Sequence, residues 1–208
     1  VPAADPAPGA GSGRGLLWLD VSAGVAGDML LAALLDLGAD PAAVDRAVEA
    51  VLPGEVRLTT EPTRRAGMRA LRLRVQPVTD GAGSPVPHRS WAGLRGLIEG
   101  ADLPDAVREA AVTAFARLAE AEGHVHGVPP EEVHFHEVGG WDSVADVVGV
   151  AAALHDLGWP EACCGPVRLG GGTVRAAHGT MPVPVPAVLQ LLAASDLVTL
   201  AGDPEGEL

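Results

Sequence analysis

Apolar and polar positions along the chain predict short strands set between helices. Residues 16–20 form an apolar run closed by an acid, read as a strand. A turn punctuated by Gly24 and Gly27 then leads into a helix over 28–37, capped by Gly38. Pro41 opens a second helix to about residue 52, where Pro53 and Gly54 break the chain. Residues 55–60 and 68–76 alternate apolar with polar positions and predict an antiparallel hairpin. Residues 80–87, rich in Gly and Pro, read as an internal loop. Two helices follow, over 90–99 and 104–122, the second with Val107, Ala111, Phe115 and Leu118 as its apolar stripe. A strand over 133–137, a helix of small residues over 142–157, a strand over 163–169, an extended 181–186 and a helix over 187–194 complete the reading. The economical architecture is mixed α/β, a mixed sheet covered by helices.

Length bounds this to one domain. The chain has 208 residues, and we expect a disordered leader over 1–15 followed by a single α/β unit over 16–208. With 48% hydrophobic residues the chain can build a core, but it contains no apolar run long enough for a bilayer. A net charge of −13 repels phosphate backbones, so nucleic acid is an unsuitable partner. The cysteines, Cys163 and Cys164, are adjacent and poorly placed to bridge one another. A reducing, cytoplasmic setting fits them best.

The densest group of potential ligands is His134, His136, Glu137, Asp142 and Asp146. On a strand, His134 and His136 share a face with alpha carbons about 6.6 Å apart, a spacing that suits one nickel or zinc ion. Glu137 points away unless Gly139 and Gly140 bend the chain. Asp142 and Asp146 share a helix face and repel each other, which a cation relieves. Each acid also has an ordinary explanation: Asp142 as an N-cap, Asp146 as a first-turn acid favoured by the helix dipole.

Three weaker constellations accompany it. Asp20, Gly24, Gly27 and Asp28 mark a strand end feeding a helix start, without a complete dinucleotide or P-loop pattern; a tight turn capped by Asp28 explains them equally well. Gly170, Gly171 and Gly172 precede His178, a loop imidazole. Arg64, Arg65, Arg69, Arg72 and Arg74 crowd the hairpin, with Arg72 and Arg74 on one face. That pair offers bidentate hydrogen bonds to a phosphate, or simply solvates a sheet edge. His124 and His126 pair as ligands only if their helix has already ended.

Together these motifs resemble the LarC family of nickel-insertion proteins. The resemblance is carried by LWLDVSAGVAGDMLLAALLDLG (17–38), HRSWAGLRGLIEGADLP (88–104), VHGVPPEEVHFHEVGGWDSVADVVGVAAAL (125–154) and LGGGTVRAAHGTMPVPVPA (169–187). It implies nickel insertion into pyridinium-3,5-bisthiocarboxylic acid mononucleotide, a lyase-class chelatase step in maturing the lactate racemase cofactor. It also implies use of CTP with manganese or magnesium. The carried-over metal positions are His134, His136, Glu137, Asp142 and Asp146, then Asp20, Asp28 and His178; Arg72 and Arg74 are our own candidates for the substrate phosphate.

The chain departs from the family at Val21, Ser22 and Ala23, at Ala176 and in keeping only His88 of a histidine-rich stretch. It reads as the N-terminal part, with CTP binding in a C-terminal region or partner chain; a homo-oligomer is a further possibility. Two other classes stand beside this one: a noncatalytic metal-binding or assembly module, and a metal-dependent hydrolase with Glu137 as base.

Overall fold

The structure is a computed structural model and describes residues 15–78, 89–135, 140–176 and 179–202. The expected leader, apart from Gly15, and the expected 80–87 loop lie outside these residues.

Strand β1 (Leu16–Leu19) leads into helix α1 (Gly27–Leu37). Helix α2 (Pro41–Val51) follows; the Asp40 carboxylate accepts from the Ala42 N–H at 3.0 Å and Pro41 presets the first turn. Strands β2 (Val56–Arg65) and β3 (Met68–Pro77) form the expected hairpin around Ala66 and Gly67, both at positive φ (47° and 81°). Next come β4 (Arg89–Ser90), α3 (Trp91–Gly100), capped by the Ser90 hydroxyl, and α4 (Asp105–His126). Because α4 continues through His126, His124 and His126 diverge on it.

Strand β5 (His134–Phe135) precedes helix α5 (Trp141–Asp156). The chain continues through β6 (Glu161–Cys164), β7 (Val167–Arg168), β8 (Thr173–Ala176), β9 (Gly179–Pro182), α6 (Pro186–Ala193) and β10 (Thr199–Leu200). Cys163 and Cys164 are both free thiols.

The fold is mixed α/β as expected, but among the described residues no single sheet lies under the helices. The strands form five two-stranded pairs: β1–β6 and β7–β10 parallel, β2–β3, β4–β5 and β8–β9 antiparallel. Four strands are only two residues long, and Gly165–Pro166 interrupts what was expected as one strand over 163–169. Helix α5 takes the centre a sheet would have filled, packing against α1, α2 and α4. Val144, Ala145, Val148, Gly149, Ala152 and Ala153 are buried along it, and their small size lets the neighbours close in. A Cβ on Gly149 would lie 2.5 Å from Leu31 Cδ2. Phe135 and Phe115, each 1% exposed, meet with ring centroids 6.1 Å apart, and Trp91 meets Phe135 edge-on. No helix among the described residues is long and apolar enough to cross a membrane.

Candidate functional site

Where α1 and α5 begin side by side, the loop-to-helix sequences bring acids together. Asp28 is the second residue of α1; it does not cap the helix, because Ala26 holds that position without a side-chain bond. The Asp28 carboxylate instead accepts from the next N–H, that of Met29, at 2.8 Å. Asp142 likewise lies inside its helix, after the Gly140 cap, and accepts from the Ser143 N–H at 2.8 Å. Asp146 sits beyond the first turn of α5, so the dipole of its own helix does not account for it.

What holds Asp146 is α1. The Asp28 backbone amide lies against its carboxylate and favours the charged form, so an acid from one helix sits at the open N-terminus of another. The approach is close enough that a Cβ on Gly27 would lie 2.6 Å from Asp146 Oδ2. Only glycine fits there, a requirement that sequence reasoning did not anticipate. The second carboxylate oxygen, Oδ1, is buried with no hydrogen-bond partner.

Burial, then the charge of Asp28, then that of Asp142 push the Asp146 pKa up to about 7, outweighing the Asp28 backbone bond that pulls it down. The three acids therefore share one electrostatic neighbourhood.

The opposite wall is β3. Asp28, Asp142 and Asp146 line a cleft of about 600 Å³ together with Arg72, Leu73, Arg74, Val75 and Gln76. Two constellations far apart in sequence thus border one hollow. Leu73 is buried, and Leu71 and Val75 pack on the core, which turns both arginines outward. Both meet Glu61 on β2: its Oε1 accepts from Arg72 Nη1 at 3.3 Å, Arg74 Nε at 3.1 Å and Arg74 Nη2 at 2.9 Å. These two guanidinium groups hold the Glu61 carboxyl below its ordinary value, Arg74 contributing most. Glu61 was also missed from sequence, although counting outward from the Ala66–Gly67 turn pairs it with Arg72. Of the other hairpin arginines, Arg69 is taken up by Asp36.

Asp20 and His134 are not among the residues lining this cleft. Asp20 follows β1, exposed, and its carboxyl is held low by hydrogen bonds from Ser22, its side chain first and then its backbone. His134 is exposed on β5, across from Ser90. His136, Glu137 and His178 lie outside the described residues. Among the described residues, no three His, Cys, Asp or Glu side chains form a group able to hold a metal ion. A larger hollow of about 1420 Å³ between α2 and the starts of β2 and α4 contains none of the expected site residues.

Residues 17–208 match the family described as nickel insertion protein. The chain is 49% identical over 175 residues to the pyridinium-3,5-bisthiocarboxylic acid mononucleotide nickel insertion protein of a Nocardioides species, covering 84% of this chain and 43% of that one. To the protein of the same name from Akkermansia muciniphila it is 46% identical over 187 residues, covering 88% of this chain and 46% of that one. The chain thus spans less than half the length of these relatives. No solved structure matches it.

Proposed function

The chain belongs to the nickel insertion protein family, and on that premise we propose that it handles nickel during insertion into pyridinium-3,5-bisthiocarboxylic acid mononucleotide, the compound in its relatives' names. The supporting observation is the cleft that Asp28, Asp142 and Asp146 line together with Arg72 and Arg74. The acids supply carboxylate donors that further ligands would have to complete, and the arginines supply donors for a phosphate.

In this reading nickel is cargo. Carboxylate and imidazole donors, from Asp28, Asp142 and Asp146 with His134, His136, Glu137, Asp20 and His178, hold the ion without a thiolate cage and release it to the softer sulfur atoms of the substrate. Arg72 and Arg74 engage the substrate phosphate in place of Glu61. On the same reading, CTP with manganese or magnesium serves the insertion and is bound outside this chain. The lyase-type insertion, its link to lactate racemase maturation, its cytoplasmic setting and any pairing of copies belong to the same proposal.

Nickel titration tests the reading. The double variant His134→Ala/His136→Ala and the pair Asp142→Asn/Asp146→Asn are each expected to weaken nickel binding by at least about tenfold. Arg72→Ala/Arg74→Ala is expected to weaken mononucleotide binding while leaving nickel binding intact. Parent-like nickel affinity in both acid and imidazole variants would falsify the reading.

A second reading is a noncatalytic metal-binding or assembly module that acts beside a separate partner chain. Adding the remaining region of a relative with CTP separates the two: restored insertion supports the enzyme part, and nickel binding without insertion supports the module.

A further inference from the structure

We propose that Glu55 is a positioning residue for this site, one carboxylate oxygen tying β4, the partner of the strand that carries His134, to the start of the helix that carries Asp142 and Asp146. The role rests on the nickel-handling reading above. Glu55 stands at the entrance to β2, its backbone N–H donating to the Leu52 carbonyl at 3.1 Å and its own carbonyl accepting from the Val78 N–H at 2.8 Å. From this fixed point its Oε2 accepts from Arg89 Nη2 at 2.7 Å and from Trp141 Nε1 at 2.7 Å.

Those two donors come from different elements: Arg89 from β4, the strand paired with β5, and Trp141 from the start of α5. Arg89 is paired across β4–β5 with Phe135, whose ring is locked between Trp91 and Phe115. Trp141 is the first residue of α5, immediately before Asp142. The strand paired with the one that carries His134 and the helix that carries Asp142 and Asp146 thus both reach the same oxygen.

The bond to Arg89 is charge-assisted and largely shielded, that side chain being 12% exposed. Removing Glu55 strands a guanidinium whose Nη1 already lacks a partner. Charge compensation alone accounts for Arg89, but it does not require the indole. The Trp141 N–H is neutral, and its bond to the same oxygen fixes where α5 begins. Partners that orient ligands in this way typically contribute about 10–100-fold to metal affinity.

The test is calorimetric titration of Ni²⁺ into the full chain. Glu55→Ala and Trp141→Phe are expected to raise the nickel dissociation constant by about tenfold or more and to shift the nickel d–d absorption. Glu55→Gln, which keeps an acceptor oxygen, recovers part of the affinity. Circular dichroism at the titration temperature establishes that each variant is folded. If Glu55→Ala does not fold, Trp141→Phe decides alone, since it removes one N–H and retains a ring. Folded variants that bind nickel like the parent, while Asp142→Asn/Asp146→Asn loses it, overturn the role of Glu55. Undiminished nickel binding in Asp142→Asn/Asp146→Asn overturns the nickel site itself, and this role with it.

Discussion

Residues 27–157 and residues 161–202 are built on different physics. The first stretch holds nearly all the buried side chains, with Leu31, Leu52, Leu94, Ile98, Val144 and Val148 all at 0% exposure. In the second, Ala187 alone is buried among the described residues, and Val198 and Leu200 are exposed. Apart from α6, which packs on α4, strand pairs of two to four residues hold the second stretch through backbone hydrogen bonds. Burial of apolar surface is the larger favourable term in folding. The helical part therefore carries the stability, and the cleft is built on it.

The sharpest way to break this contrast is truncation on each side. Phe135→Ala is expected to cost about 3–5 kcal/mol, whereas Val198→Ala, at a site 65% exposed, stays within about 0.5 kcal/mol. Chemical denaturation monitored by circular dichroism measures both, and equal losses would erase the distinction. Hydrogen exchange offers an independent view: amides of α5 exchange near the global unfolding limit and those of β8, β9 and β10 far sooner.

Overpacking probes the helical part more finely. Gly149→Ala drives a methyl group into Leu31 and is expected to cost about 1–3 kcal/mol. Gly27→Ala meets Asp146 instead, with its Cβ 2.7 Å away as well as its carboxylate, and is expected to push the starts of α1 and α5 apart, weakening nickel binding at a comparable stability cost.

The pH effect is smaller again and has a definite sign. Asp146 holds its proton to about pH 7 in the folded chain, against an ordinary value of 3.8. The folded state then binds more protons than the unfolded one across that interval, so metal-free stability falls as pH rises through it. Asp146→Asn is expected to flatten the fall and to raise the melting temperature at pH 8. A melting temperature that climbs from pH 4 to pH 7 through Asp146 contradicts this. The smallest effect belongs to Glu61→Gln: its ion pairs with Arg72 and Arg74 are exposed and screened by solvent, so thermal melting barely moves.

The helices were legible because their ends are written locally. Asp40–Pro41, Ser90 and Gly38 are signals that need no tertiary knowledge, and the apolar stripe of α4 shows its period directly. The strand partners were not legible. Nothing within residues 16–19 indicates that they lie parallel to residues 161–164, and a two-residue strand such as β10 has no period to read. The site divided in the same way. The acids stood out as a cluster, but their nearness to Arg72 and Arg74 comes from packing α1 and α5 against the hairpin, which no spacing along the chain encodes. Asp146 looked like a first-turn acid because Asp142 was read as the cap; with Gly140 in that place, the helix begins two residues earlier and Asp146 falls in the next turn.

The Glu61 contact governs which anions this hairpin can take up. Its carboxylate already orients both guanidinium groups, so a newcomer spends little affinity on freezing their rotamers. It must instead outcompete a resident monoanion at the same donors. A carboxylate ligand only matches that incumbent, whereas a phosphate dianion exceeds it in charge, and the hairpin thereby sorts oxyanions by valence.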